Sequence, residues 1–203
     1  WLVRGLRSGR DLPFALAGIV TGLGFYGYFG ARLVGVVLAL YVAHRAMVEY
    51  RFVARRGRSL LILFAAVLVV LAPLLIHYAD HPDMLFARSR QVGLFSSGWL
   101  ARERANTGRT AARLILEQVW KSVSAFHYTL DPTFWYRPSI PLLDVVSGVL
   151  FLVGVLWATA RWRWPANSLL LLWFWLALIL GWMLTEIPPS SMRLVIVTPA
   201  LAL

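Results

Sequence analysis

The chain has 203 residues, 60% of them hydrophobic and only 14% charged, against about 25% charged in an ordinary soluble domain. That balance excludes a soluble globular protein and reads as an integral membrane protein. The formal charge of +11 comes from nineteen arginines and Lys121 against nine acids. The basic residues gather between apolar runs, as the positive-inside rule produces without any ligand, so nucleic acid is the wrong partner to infer. The absence of cysteine excludes a disulfide framework, a thiol nucleophile and a thiolate metal site.

The apolar residues come in runs of about 17 to 20, the length a helix needs to cross a hydrocarbon core of about 30 Å. Barrel strands would alternate over shorter segments instead. Arg4, Arg7 and Arg10 precede Asp11-Leu12-Pro13, where a capping carboxylate and a first-turn proline start a helix expected to reach Tyr28. Gly18 and Gly22 stand four residues apart on it, a spacing that lets a second helix come close. After a short turn, Arg32 leads into a second span, Leu33 to Val48. Burying that arginine in hydrocarbon costs roughly 2.5 to 3.5 kcal/mol on insertion scales, which places it at the interface or against a polar cavity. His44 and Arg45 are expected to snorkel.

Arg45, Arg51, Arg55, Arg56 and Arg58, against Glu49 alone, mark a cytoplasmic connection before a third span, Leu60 to Ile76, which Pro73 bends or ends. His77 to Phe95 (HYADHPDMLFARSRQVGLF) then opens a loop too long for a simple connection. Its Arg88 and Arg90 lie among apolar residues, a mixture suited to an anionic lipid headgroup, or to ordinary interfacial arginines. Ser96 to Gly108 is polar and reads as mobile, and its Arg102 and Arg104 are expected to contribute little. In Arg109 to Tyr128, Arg113, Glu117 and Lys121 share one face, and Ala112, Leu116, Val119, Val123 and Phe126 the other. This is the pattern of an amphipathic helix lying in the membrane interface, with Trp120 as its anchor.

An aromatic, proline-rich stretch, FHYTLDPTFWYRPSIPLLD, is expected to form an ordered surface lobe. Asp144 caps the next span, Leu142 to Ala160. The basic turn at Arg161 and Arg163 precedes a fifth span, Ser168 to Leu184, and TEIPPSSMR is an external turn before a sixth, truncated one. The three connections assigned to the cytoplasm hold ten basic residues, the two short external turns only Arg32 and Arg193. The expected architecture is therefore all-α: a polytopic transmembrane helix bundle of about six spans, multi-pass in the plasma (inner) membrane. Spans 1 to 3 fall in residues 1–77, an external loop domain in 78–140, and spans 4 to 6 in 141–203. With Trp1 in place of methionine and an apolar run at the end, the chain is expected to be a piece of a longer protein.

Four stretches carry a resemblance: GLGFYGYFGARLV from Gly22, HPDMLFARSRQVGLF from His81, FHYTLDPTFWYRPSIPLLDVVSGVLFLVG from Phe126 and TEIPPSSMRLVIVTPAL from Thr185. In order and character they resemble the GT-C superfamily of membrane glycosyltransferases, in particular bacterial glycosyltransferase family 39, kin of protein mannosyltransferases and of aminoarabinose transferases. The resemblance implies inverting transfer of a sugar from a polyprenyl-phosphate donor to an acceptor hydroxyl, a carboxylate taking the hydroxyl proton and cations meeting the departing phosphate. It implies that Arg88 and Arg90 bind the donor phosphate, that Glu186 and Arg193 face the same cavity, and that the catalytic base belongs to an external loop before Trp1. Glu186 with Arg193 also reads as a solvated surface pair worth about 0 to 1 kcal/mol. No cofactor is implied, and the sugar, the acceptor and any divalent metal stay open. The rival readings are a multi-span transporter or flippase, which would carry charges or helix breaks at mid-span, and a non-catalytic membrane subunit.

Overall fold

A computed structural model describes residues 1–27, 29–133 and 138–201. In chain order the helices are α1 (Leu2–Ser8), α2 (Asp11–Gly24), α3 (Leu33–Val48), led in by a 3-10 turn at Phe29–Arg32, α4 (Phe52–Asp80), α5 (Pro82–Leu85), α6 (Ala87–Val92), α7 (Trp99–Thr107), α8 (Ala111–Ser124), α9 (Val145–Ala160), α10 (Pro165–Leu178), α11 (Ser191–Leu194) and α12 (Thr198–Leu201). A π-helical turn, Ile179–Met183, continues α10. Among the described residues three segments are long and apolar enough to cross a membrane: Phe29–Val48, Phe52–Asp80 and Pro165–Met183. The other apolar helices are shorter. At 1.5 Å per residue, α2 and α9 cover only about 21 and 24 Å. The described part of the last apolar run falls into α11, a 3-10 turn and α12. The chain forms two compact units, Trp1–Leu85 with Arg163–Leu172, and Phe86–Trp162 with Trp173–Leu203.

In the first unit α2 packs along α4, and the glycines explain how closely. A Cβ on Gly18 would stand 2.3 Å from the Leu63 carbonyl oxygen and 2.8 Å from the Ala66 Cβ, and one on Gly22 would stand 2.8 Å from Val70. Phe14, Ala17, Leu38, Phe52, Leu60 and Leu63 fill the core beside this contact. Asp11 does not cap α2. Arg10 holds the N-cap position, while the Asp11 carboxylate, in the first turn, accepts the Ser59 hydroxyl at 2.7 Å and faces Arg58 at 3.3 Å. The α4 helix begins eight residues before the expected span and runs past Pro73 to Asp80, although the proline lacks the N–H that would bond the Val69 carbonyl. In the turn before the proline, the Tyr26 hydroxyl donates to the Val70 carbonyl at 2.8 Å.

Arg45 corrects the snorkelling expectation, since it is only 8% exposed. Its guanidinium pairs with Glu49 at 2.8 Å and donates to the Arg163 carbonyl at 3.0 Å. A charge withdrawn from water needs such partners, and both are supplied at the end of the helix.

In the second unit aromatic rings form the core. Phe126 lies 5.0 Å from Phe151, 5.7 Å from Phe174 and 5.8 Å from Trp182, centroid to centroid. The Trp182 indole satisfies its N–H on the Ser190 carbonyl at 2.7 Å, so a fully buried ring also ties down the turn after the π-helix. Asp144 caps α9 as expected, its Oδ1 accepting the Val146 and Ser147 amides. The segment expected to be mobile, Ser96 to Gly108, is largely helical as α7. It is bounded by Gly98 and Gly108, whose φ values of 74° and 67° suit glycine. Residues 134–137, in the middle of the aromatic lobe, and Tyr28, the expected end of the first span, lie outside the described residues.

Three faces of α8 are distinct. Leu114, Gln118 and Ser122 are buried, while Arg113 and Glu117 form an ion pair at 3.4 Å that Arg109 joins at 2.8 Å. The remaining face presents Leu116 and Trp120, 67% and 68% exposed, with Val123. The apolar stripe read from the sequence is thus turned outward for most of its length. Only Phe126, beyond the helix, joins the core.

Candidate functional site

The second unit brings three of the resembling stretches together, two of them through the main chain. Leu94 N–H donates to the Leu184 carbonyl at 2.8 Å, and Glu186 N–H donates to the Val92 carbonyl at 3.0 Å. Gly93 and Thr185 thereby face each other as an antiparallel bridge. The glycine is needed at this crossing, because a Cβ there would stand 2.5 Å from the Ser89 carbonyl oxygen and 2.3 Å from the Ser96 Oγ. Leu94 is fully buried below the bridge. The third stretch enters through Asp131, only 6% exposed, whose Oδ2 accepts the Ser191 amide at 2.6 Å and whose Oδ1 accepts the Thr133 amide at 2.9 Å.

The four predicted residues are distributed around this crossing. Arg88 and Arg90 sit on α6, the single short helix that ends at the bridge, and both are exposed. Arg88 donates to the Gln91 amide oxygen at 3.2 Å. Glu186 is fixed to the end of α6 by its own backbone, and the guanidinium that meets its carboxylate is that of Arg102, at 3.8 Å. Arg193 is half-buried on α11, where its amide donates to the Ser190 carbonyl at 2.9 Å. Its helix is the one that begins at Ser191 under Asp131.

Two residues that sequence reasoning passed over matter here. Asp131 was hidden inside an aromatic, proline-rich stretch. Its local signal is the Asp-Pro-Thr sequence, which favours a side chain accepting the amide two residues on. Arg102 was set aside as part of a polar, mobile segment, yet α7 holds it against Glu186 and against the Ser97 carbonyl at 2.7 Å.

Burial raises the affinity of the Asp131 carboxyl for its proton. The hydrogen bonds from Thr133 and Ser191 outweigh that and hold it below the ordinary carboxylate value, so it is an anion whose lone pairs already have donors. Such a carboxylate is held by its donors and positions a turn. Among the described residues no group of three or more His, Asp or Glu is arranged to hold a metal ion.

The fold and this crossing define an all-helical membrane protein in which two stretches distant in sequence are joined beside a pair of exposed arginines. Comparison with protein-family models, with curated proteins and with solved structures finds no match to this chain.

Proposed function

We propose that the chain is part of a membrane glycosyltransferase that moves a sugar from a polyprenyl-phosphate donor to an acceptor hydroxyl at the external membrane face. The observation that supports this reading is the backbone crossing of Val92 to Leu94 with Leu184 to Glu186. It joins the arginine-bearing helix and the Glu186 turn, two stretches singled out by the resemblance, through two backbone hydrogen bonds. In this reading Arg88 and Arg90 donate charge-assisted hydrogen bonds to the donor phosphate and stabilise it as it leaves. Glu186 and Arg193 line the same site, Arg102 holds the Glu186 carboxylate in place, and Asp131 positions the turn. In this reading no residue of this chain is assigned as the base that activates the acceptor.

Charge-assisted hydrogen bonds contribute roughly 1.5 to 3 kcal/mol each. Arg88→Ala or Arg90→Ala in the full-length protein therefore weakens donor binding about ten- to a hundredfold. Arg104→Ala, on the exposed side of α7, leaves it unchanged, whereas Arg102→Ala is no longer a neutral control because of its contact with Glu186. Equal small effects at Arg88, Arg90 and Arg104 in a donor-binding titration would reduce the first two to ordinary interfacial arginines.

A further inference from the structure

Arg32 stands apart from the crossing, in the first unit, at the end of the two longest apolar helices. It closes the 3-10 turn from which α3 departs, and Tyr78, its partner, lies in the last turns of α4. The guanidinium carbon is 4.9 Å from the centroid of the Phe29 ring and 5.5 Å from that of Tyr78. Nη2 donates to the Tyr78 hydroxyl at 2.6 Å. The rings hold the guanidinium plane and shield it from water, and they offset part of its charge, but an aromatic face offers no lone pair to an N–H. Among the described residues no carboxylate lies within 4.0 Å of this guanidinium, and Nε is buried without an acceptor. This is a half-buried cation, oriented by one hydrogen bond and two rings, with donors left over and no carboxylate partner among the described residues.

We infer that Arg32, held between Phe29 and Tyr78, binds a phosphate group, and that a phospholipid headgroup supplies it. The level of the site in the bilayer argues for the lipid. Phe29–Val48 and Phe52–Asp80 are both long enough to span, so Arg32 and Tyr78 lie where a span meets the headgroup layer, and phosphates are the abundant anions there. The chemistry argues for phosphate as well, since the planar fork of a guanidinium matches two phosphate oxygens at once. Phe29, stacked on the guanidinium, is 40% exposed and offers apolar surface to the glycerol and upper acyl carbons of the same lipid. This site is independent of the transfer reaction proposed above.

The test is lipid retention by the chain in nanodiscs of phosphatidic acid mixed with phosphatidylcholine, read by native mass spectrometry. The chain retains phosphatidic acid, Arg32→Gln retains it about tenfold less, and Arg32→Lys, which keeps the charge without the fork, recovers part of the loss. That partial recovery separates a lost ligand from a misfolded variant. Arg4→Gln, at an exposed arginine stacked on Trp1, leaves retention unchanged. A second arm titrates delipidated protein in detergent with inorganic phosphate. Equal retention by the chain and Arg32→Gln overturns the site, as does an equal loss in Arg4→Gln, which would make retention a property of surface charge in general. Arg32-dependent binding of inorganic phosphate without retained lipid overturns the lipid as the source.

Discussion

Asp131 accepts the Ser191 amide at 2.6 Å across 60 residues of sequence, and so ties the helix that carries Arg193 to the first part of the aromatic stretch. Because its carboxyl is depressed in the folded state, it contributes stability that is fully present above the unfolded carboxylate range, near pH 4. That contribution is lost as pH falls through the lower folded value. Asp131→Asn, with one acceptor oxygen in place of two, is expected to lose about 1 to 3 kcal/mol at neutral pH. The gap between the two proteins closes in acid. Thermal unfolding of both at neutral pH and below about pH 3 checks this, and a gap that persists in acid would show that the ionised form is not what counts.

Two glycines in the first unit should respond in opposite directions to alanine. At Gly18 a methyl would collide with the Leu63 carbonyl and Ala66, so α2 must move off α4 at a cost of about 1 to 3 kcal/mol. At Gly57, inside α4, a Cβ meets nothing within 4 Å, and Gly57→Ala stabilises by about 0.5 to 1 kcal/mol through the unfolded chain. Unfolding in detergent measures both, and a stabilised Gly18→Ala would refute the close contact.

The sidedness read from the basic residues can be tested directly because the chain has no cysteine. Single cysteines at Arg56 and Arg104 are expected to differ in reaction with an impermeant maleimide on intact cells, the first protected and the second labelled. Labelling of both from the same side would overturn the topology. Gly98 is the wrong place for the second cysteine, since its φ of 74° disfavours any side chain.

The three faces of α8 predict a depth profile. A spin label at Leu116 should be relaxed by oxygen, which partitions into lipid, and one at Arg113 by a water-soluble paramagnet. A label at Leu116 that sees only the aqueous reagent would place the helix away from the bilayer.

What could be read from the sequence was what depends on near neighbours along the chain. The Asp144 cap, the Gly18 and Gly22 approach and the charged stripe of α8 follow from spacings of two to four residues, and the structure carries all three. The helix ends were less legible. The α4 helix continues past Pro73 to Asp80, and Tyr26, from the turn after α2, bonds to the Val70 carbonyl of the same helix; no local signal announces either. The crossing at Gly93 and Thr185 joins segments with no common periodicity, and Arg102 meets Glu186 only once that crossing has formed. Composition made Arg45 look like a surface arginine for a similar reason, since the carbonyl that completes its shell lies 118 residues away.

That last separation sets a schedule. Ribosomes add roughly 5 to 20 residues per second, so about 6 to 24 s pass between the emergence of Arg45 and that of Arg163. For this interval the guanidinium has Glu49 but not its carbonyl, and the first unit still lacks Arg163–Leu172. The later segment, made after the whole second-unit loop, acts as the latch that lets the earlier helices settle.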